Sequence, residues 1–285
     1  MSTANALPPA ARLRGAPLAT RLGGLVDRWS LVLYTALAVI YLLLPVSVIV
    51  LFSFNDPAGR SNVVWQGFTL DYWLDPLAPL GLAEAVGLSL LIAVLATAGA
   101  TVLGTLIALA LERYRFRGRS AANSLIFLPM ATPEIILGAS LLTFFVTLAG
   151  PPFFPLNVTT ILIAHVMFNI SYVVVTVRAR LAGFPRHLEE AAMDLYANEW
   201  QTFWRVTFPL ILPGIVAAAL LAFSLSIDDF VITNFTAGKT QTFPMYIYAK
   251  SRIGIPVEVN VIGTMIFLAA VGAVAVTTLA SRRRR

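Results

Sequence analysis

Three acidic residues lie inside long apolar stretches of this sequence, where an ionised carboxylate is costly and usually functional. Glu134 stands in FLPMATPEIILG, and Asp228 and Asp229 stand together in FSLSIDDFVITNF. Counted from the basic ends of their spans at about 1.5 Å per residue, Glu134 and Asp228 both lie roughly 20 Å deep. Carboxylates at a common depth on two helices can line one aqueous path and attract a cationic solute. The sequence therefore predicts an acidic substrate path, with Asn169 of the fourth span adding polar lining.

Each of these acids also has a structural interpretation. Glu134 follows Pro133, so it fits the first turn of a helix, where a negative charge is favoured. Successive helical residues point about 100° apart. Asp228 and Asp229 therefore cannot both face one lumen, and one of them is expected to bond the backbone or a partner subunit. The same geometry argues against an aspartyl protease, whose two carboxyls must face each other. Pro129 and Pro133 together predict a break in the third span just before Glu134.

The composition is that of a membrane protein. The chain of 285 residues is 58% hydrophobic and 12% charged, against roughly 25% charged in a soluble domain. Its long apolar runs predict an all-α protein with six transmembrane helices, each able to cross a hydrocarbon layer of about 30 Å. The predicted spans are 31–52, 85–111, 121–148, 158–177, 209–235 and 257–280. The first run is too long for a signal peptide and ends without a small-residue cleavage site, so it is interpreted as a retained span.

The positive charges orient these spans. Of the 20 Lys and Arg residues, 16 lie in four segments on one predicted side. The positive-inside rule then places both termini and the loop 178–213 in the cytoplasm. Because these residues are scattered over four segments, they do not form the single basic patch that nucleic-acid binding requires. The predicted organisation is a mobile tail (1–29), a first span with its outer loop (30–84), a transmembrane domain (85–280) and a basic end (281–285).

The loop 178–213 has the pattern of two short amphipathic helices. The first has apolar residues at spacings that share one helical face: Leu188, Ala191, Ala192 and Leu195. Its acidic residues fall outside that face: Glu189, Glu190 and Asp194. The second helix begins after Asn198, which with Gln201 has the spacing of a capping pair. So short a segment cannot bury enough apolar surface to fold alone, and we expect it to dock on some other surface. The alternative is a loop that lies on the membrane surface.

The order of residues in this loop resembles the signature of binding-protein-dependent ABC importer permeases. It reads Glu190-Ala191-Ala192, then Tyr196, then Phe208-Pro209 and Pro213-Gly214. The resemblance implies the type I importer permease (MetI-like) fold, and it implies that this loop, the EAA loop, couples the chain to a separate ATP-hydrolysing subunit. The implied coupling residues are Glu189, Glu190, Ala191, Ala192, Asp194, Leu195, Tyr196 and Ala197. Tyr196 stands where the family usually has glycine. Because tyrosine is penalised at positive φ, we expect a different or strained turn.

Three longer segments resemble the second permease subunit of spermidine/putrescine importers: LPMATPEIILGASLL, SLSIDDFVITNF and TFPMYIYAKSRIGIPVEVN. This resemblance covers most of residues 30–280. It implies a complex in the bacterial inner membrane with a second permease subunit, a cytoplasmic ABC ATPase dimer that binds ATP and Mg, and an extracytoplasmic solute-binding protein. Polyamines are polycations, which suits intramembrane carboxylates. Related permeases carry iron or other solutes, so the solute stays open.

No motif for catalysis or nucleotide binding stands in the chain. The patterns GxxxxGK[ST], HExxH and GxSxG are absent, and no catalytic residue, metal or cofactor is assigned to this chain. His165 and His187 are too few and too far apart to suggest a metal site, and there is no cysteine. A secondary transporter is less favoured, because the two halves of the chain show no internal repeat.

Overall fold

A computed structural model describes residues 18–59, 61–148 and 155–282. Much of the predicted tail, the proline-rich turn after the third span and the last three arginines lie outside these residues. The described part is helical: α1 Leu18–Phe52, α2 Asp71–Leu74, α3 Leu82–Arg113, α4 Arg119–Ala131, α5 Glu134–Thr143, α6 Val158–Ala182, α7 His187–Asp194, α8 Glu199–Thr202, α9 Phe208–Asp228, α10 Val231–Thr236, α11 Phe243–Ser251 and α12 Val257–Arg282. Two π-helical segments, Phe144–Leu148 and Phe203–Thr207, follow α5 and α8. Residues 18–29, predicted to belong to the tail, form the start of α1.

Within the described residues, four helical stretches are long and apolar enough to cross a membrane: Trp29–Phe52, Leu82–Arg113, Val158–Ala182 and Glu199–Asp228. The last of these runs through α8, the second π segment and α9. A fifth span results if α4 and α5 cross together. α12, Val257–Arg282, covers the predicted sixth span. The total of six spans and the side of the termini stay predictions.

The core lies between α3, α6 and α9, which pack closely through small side chains. Ala100, Gly104 and Ala108 recur at every fourth residue of α3, and all three are buried. A Cβ atom at Gly104 would lie 2.6 Å from Cγ1 of Val173 on α6. Only glycine allows this approach, and such spacing of small residues is typical of helices that pack inside membranes. The three helices therefore form a fixed unit from which the functional segments project.

α1 packs against α12 and leaves most of its own surface uncovered. Its apolar side chains are exposed on every side, from Leu31 at 68% to Leu51 at 52%. A helix that is apolar all round requires apolar surroundings. Lipid or another membrane subunit provides such surroundings for α1.

The predicted break in the third span is confirmed. α4 ends at Ala131, and Thr132 is extended (φ −85°, ψ 131°). The next residue, Pro133, lacks an N–H group and disfavours a helical conformation at the residue before it. α5 begins at Glu134, and the two helices meet at a bend of 109°.

A second break divides the predicted span 209–235, so the continuous helix expected there is wrong. α9 ends at Asp228, Asp229 is extended (φ −63°, ψ 120°), and α10 follows. The carboxylate of Asp229 accepts hydrogen bonds from the backbone N–H groups of Ile232 (3.4 Å) and Thr233 (2.8 Å). An aspartate that caps the next helix in this way competes with continuation of the previous one.

Candidate functional site

The EAA loop forms the short helix α7, as predicted, but its second helix is not a separate short one: α8 continues through the second π segment into α9. The predicted capping pair at the start of α8 is confirmed. The backbone N–H of Gln201 donates to the side chain of Asn198 at 2.8 Å, and the side chain of Gln201 accepts from the N–H of Asn198 at 3.2 Å. These reciprocal bonds satisfy two N–H groups that a helix start leaves free. They fix where the second helix begins.

Tyr196 lies in the turn between these helices with a left-handed backbone, at φ +62°. The N–H of Ala197 bonds the carbonyl of Ala192 at 3.1 Å, and the N–H of Tyr196 bonds that of Met193 at 2.9 Å. This pair of bonds is the Schellman motif, which ends a helix with a residue that is usually glycine. Tyrosine occupies the position at a cost of about 1–2 kcal/mol. The turn has the shape that glycine favours, and the expected strain is confirmed.

The apolar face of α7 points away from the rest of the chain. Leu188 is 37% exposed and Leu195 is 82% exposed. We call the exposed large side chains of α7, the turn and α8 the loop surface: Leu188, Met193, Leu195, Tyr196 and Trp200. Several large exposed apolar side chains within one short segment are typical of interaction sites.

The predicted coupling residues differ in exposure. Most of them are exposed: Glu190, Ala191, Asp194, Leu195 and Tyr196. Ala192 and Ala197 are half-buried. Glu189 is buried, with 7% of its surface exposed. The two adjacent glutamates of the loop therefore have opposite environments.

Glu189 connects α7 to two other segments of the chain. Its Oε1 forms an ion pair with the guanidinium of Arg113, in the last turn of α3. The same oxygen accepts a hydrogen bond from the hydroxyl of Thr207, the last residue of the π segment before α9. A buried charge is stable only when it is paired in this way. Glu189 thus holds the EAA loop against the ends of α3 and α9.

Glu134 and Asp228, the acids predicted at a common depth, both lie at helix breaks. Glu134 is the first residue of α5, and Asp228 is the last residue of α9. Both are exposed. The dipole of α5 favours the charge of Glu134, whereas the C-terminal end of α9 disfavours the charge of Asp228. Both carboxylates are accessible to a ligand or a partner.

Asp229 is instead bonded within the chain, with 8% of its side chain exposed. Besides capping α10, its Oδ2 accepts a hydrogen bond from the hydroxyl of Thr233 at 2.7 Å and lies 3.4 Å from Nε2 of His165. The imidazole of His165 also bonds Thr233 Oγ1 through Nε2 (2.9 Å) and Ser226 Oγ on α9 through Nδ1 (2.6 Å). Asp229 therefore connects α6, α9 and α10 through buried polar contacts, and it is the aspartate of the pair that bonds the backbone.

His165, which the sequence indicates as a buried polar residue and not a metal ligand, is buried and takes part in this region. It precedes Asn169 by one helical turn in an apolar span, and this spacing, which places both on one face of α6, was the available signal. Asn169 is fully buried, and neither polar atom of its side chain has a hydrogen-bond partner within the described residues. The structure thus places Asn169 inside the helix packing and not on an open surface.

Comparison with known proteins assigns these features to one family. Residues 100–283 match the family described as the binding-protein-dependent transport system inner membrane component. The chain is 40% identical over 238 residues to the putrescine transport system permease protein PotI of Escherichia coli K12, covering 82% of this chain and 84% of PotI. It is 35% identical over 243 residues to the spermidine/putrescine transport system permease protein PotC of the same strain, covering 85% of this chain and 90% of PotC.

Solved structures of ABC transporters share the fold. A chain of a bacterial transporter involved in import of the acidic polysaccharide alginate aligns with a TM-score of 0.66 at 20% identity, covering 93% of this chain and 99% of that one. A chain of the MetNI methionine transporter in an inward-facing conformation aligns with a TM-score of 0.55 at 18% identity. The alignment covers 71% of this chain and 93% of that one. With the family match and the permease relatives, this likeness shows that the chain belongs to the inner membrane components of binding-protein-dependent ABC importers.

Proposed function

We propose that this chain is one of two permease subunits of an ATP-driven importer and forms half of the translocation path for a polyamine. The observation that carries the proposal is the contrast between the two adjacent glutamates of α7. Glu189 is buried and bonded to other segments of the chain, while the adjacent Glu190 and the side chains of the loop surface are exposed. The relatives named for putrescine and spermidine transport support the choice of solute.

The loop surface is the contact with a cytoplasmic ABC ATPase. The chain has no nucleotide-binding motif, so ATP and Mg bind the ATPase subunits. Trp200 and Tyr196 are 70% and 97% exposed, and both residue types carry much of the energy of protein interfaces. The half-buried Ala192 and Ala197 allow a partner to approach the turn closely. Glu190 supplies an exposed charge on α7 outside its apolar face, which fixes the orientation of the partner.

Asp228 and Glu134 are the carboxylates of the solute path. Asp228 ends α9, where the partial negative charge of the helix C-terminus already disfavours a carboxylate. A passing cation relieves that repulsion, so the position favours a positively charged solute. The second permease subunit supplies the opposite wall of the path, and the extracytoplasmic binding protein delivers the solute. Asp229 keeps α10 in place and does not contact the solute.

Transport follows from a change in the EAA loop that reaches the broken spans. ATP-driven closure of the ATPase dimer moves α7 and α8, and the spans tilt between inward-facing and outward-facing states. The breaks before Glu134 and after Asp228 are the points at which half-helices change direction, as in many transporters. ATP shifts the equilibrium between the inward-facing and outward-facing states, because the ATPase contacts the EAA loop differently in each of them.

Charge reversal at Glu190 tests the docking step. The two permeases and the ATPase are co-expressed and purified by a tag on this chain. Glu190→Arg places the opposite charge in the proposed interface, and we expect the recovered ATPase to fall by about tenfold or more. Glu84→Arg, an exposed glutamate in the first turn of α3, is the control and should retain the ATPase. Full recovery of the ATPase with Glu190→Arg would contradict the proposal.

Uptake by the complete complex in proteoliposomes tests the solute. With the binding protein and ATP present, putrescine or spermidine should accumulate, and accumulation should stop when ATP is omitted. Uptake that continues without ATP would identify a secondary transporter. ATP-dependent uptake of another solute, with no uptake of either polyamine, would contradict the choice of solute but not the importer function.

A further inference from the structure

Three segments that are distant in sequence meet at the carboxylate of Glu189. Glu189 belongs to α7, Arg113 to the end of α3, and Thr207 to the π segment before α9. Glu189 is 7% exposed and Thr207 is 1% exposed. The side chain of Arg113 keeps 31% of its surface exposed. The junction is thus a buried carboxylate with a charged donor on one side and a neutral donor on the other.

The position of Thr207 allows this junction to transmit movement from α7 to α9. Along the chain, α8 reaches α9 only through the π-helical segment Phe203–Thr207. A π-helix is a local irregularity in hydrogen bonding and frequently marks functional sites. Glu189 bonds the last residue of that segment, so α7 contacts the base of α9 directly. A displacement of α7 can therefore reach α9 through this bond, without being transmitted along the length of the π-helical segment.

Further polar contacts extend the junction to the neighbouring spans. Nη2 of Arg186, just before α7, donates to the carbonyl of Glu112 at 3.4 Å. The carboxylate of Glu112 lies 3.6 Å from Nε of Arg178 on α6. Arg178 also donates through Nη1 to Asn123 of α4 at 2.8 Å. The end of α3 is thereby connected to α4 and α6 as well as to α7.

We propose that Glu189 is a positioning residue that makes α7, the end of α3 and the base of α9 move as one body. The inference rests on the proposed function, because it describes how force from the ATPase reaches the path. Glu190 contacts the ATPase, and Glu189 carries the displacement into α9, whose far end holds Asp228. Neutralising Glu189 should leave the complex assembled while weakening the connection between ATP hydrolysis and transport.

The first measurement is the ratio of polyamine taken up to ATP hydrolysed by the reconstituted complex. For Glu189→Gln we expect this ratio to fall by about tenfold, within the range of known coupling effects. Thr207→Val keeps the shape of the side chain but removes the hydroxyl, and it should lower the ratio in the same direction. Glu84→Gln, an exposed glutamate at the other end of α3, is the control. A native ratio in both junction variants would overturn the inference.

The second measurement compares one double-cysteine variant before and after chemical cross-linking. Because both samples contain the same protein, a difference in folding between variants cannot affect the result. The chain has no cysteine, so Glu189→Cys with Thr207→Cys provides the chain's sole pair of thiols. Before linkage, the junction is broken and the ratio should be low. After linkage with a short bis-methanethiosulfonate reagent, α7 is again fixed to the base of α9 and the ratio should rise. A fall in uptake on linkage would show that the junction must open during transport and would overturn the inference.

These results can be told apart from failure of the proposed function. If Glu190→Arg retains the ATPase, the docking proposal fails. If Glu190→Arg releases the ATPase but linkage of the two cysteines blocks uptake, docking stands and the single moving body is wrong.

Discussion

Two pairs of adjacent acids, Glu189–Glu190 in the EAA loop and Asp228–Asp229 in the fifth span, follow the same arrangement. In each pair one carboxylate is buried and bonded to other segments, and the other is exposed. Glu189 bonds Arg113 and Thr207, whereas Asp229 bonds the start of α10 and lies beside His165. The exposed members remain free to act on something outside the chain.

The two pairs differ in what the exposed member faces. Glu190 is an exposed charge in the same short segment as the large apolar side chains of the loop surface, which suits a protein partner. Asp228 lies at the end of a broken helix, which suits a small cation. An acid in these segments is therefore a candidate contact residue only if no neighbouring segment already binds its carboxylate. Three substitutions in the two pairs test this division, and a fourth substitution tests the turn of the EAA loop.

Removing the buried acid of the membrane pair should have the largest effect on stability. Asp229→Ala deletes the cap of α10, leaves the N–H and hydroxyl of Thr233 without their acceptor and removes the carboxylate beside His165, at an expected cost of about 3 kcal/mol in the free energy of unfolding. Asp228→Ala should change it by no more than about 0.5 kcal/mol. Thermal unfolding of the detergent-purified chain measures both. Equal losses in the two variants would remove the distinction between the aspartates.

Removing Glu189, the buried acid of the loop pair, should have a smaller effect on stability. The guanidinium of Arg113 is partly exposed, so water can hydrate it once its partner is lost. We expect Glu189→Ala to cost about 2 kcal/mol and Glu190→Ala to cost about 0.5 kcal/mol or less. Proteolysis within the EAA loop of the isolated chain reports this local stability. A Glu190→Ala loop that is cleaved as readily as the Glu189→Ala loop would contradict the assigned environments.

The exposed acid of the membrane pair should affect transport and not stability. Asp228→Asn removes the charge that attracts the solute, and we expect the rate of polyamine uptake to fall about tenfold, which corresponds to about 1.4 kcal/mol. The assembled complex should be recovered in native amounts. Unchanged uptake in Asp228→Asn, in Glu134→Gln and in the double variant would show that neither acid lies on the path.

Substitution of Tyr196, in the turn between α7 and α8, should have the smallest effect on the free energy of unfolding. Tyr196→Gly removes the left-handed strain but adds freedom to the unfolded chain. The net result should be a stabilisation of about 0.5–1 kcal/mol, seen as a higher unfolding temperature. Tyr196→Ala keeps a Cβ atom and should give no such gain. A lower unfolding temperature for Tyr196→Gly would mean that the tyrosine side chain makes a contact worth more than the strain.

Local signals in the sequence predicted several parts of the structure. Pro133 predicted the break before α5, because its ring excludes a helix at the residue before it. The spacing of Asn198 and Gln201 predicted the start of α8, and Tyr196 at a glycine position predicted the strained turn. Each of these features is determined within a few residues, so the local sequence can predict it, although the turn at Tyr196 was predicted only through the resemblance to a family that usually has glycine there.

The remaining features depend on contacts between distant segments. The burial of Asp229 beside His165 and that of Glu189 beside Arg113 involve partners that lie far away in sequence. Nothing in the local pattern distinguishes Glu189 from Glu190, since both fall outside the apolar face of α7. Asn169 is a polar residue of the type expected to line a path, yet the packing of α6 buries its side chain. Such assignments need the tertiary fold.

Cross-linking from the loop surface tests the central claim most directly. Leu195→Cys, at a position that is 82% exposed on α7's apolar face, is labelled with a maleimide photocross-linker in the assembled transporter. Glu84→Cys at the far end of α3 serves as the control. We predict that illumination links Leu195→Cys to the ATP-binding subunit and that the control gives no such product. A transport-competent complex in which Leu195→Cys never links to that subunit would contradict the account.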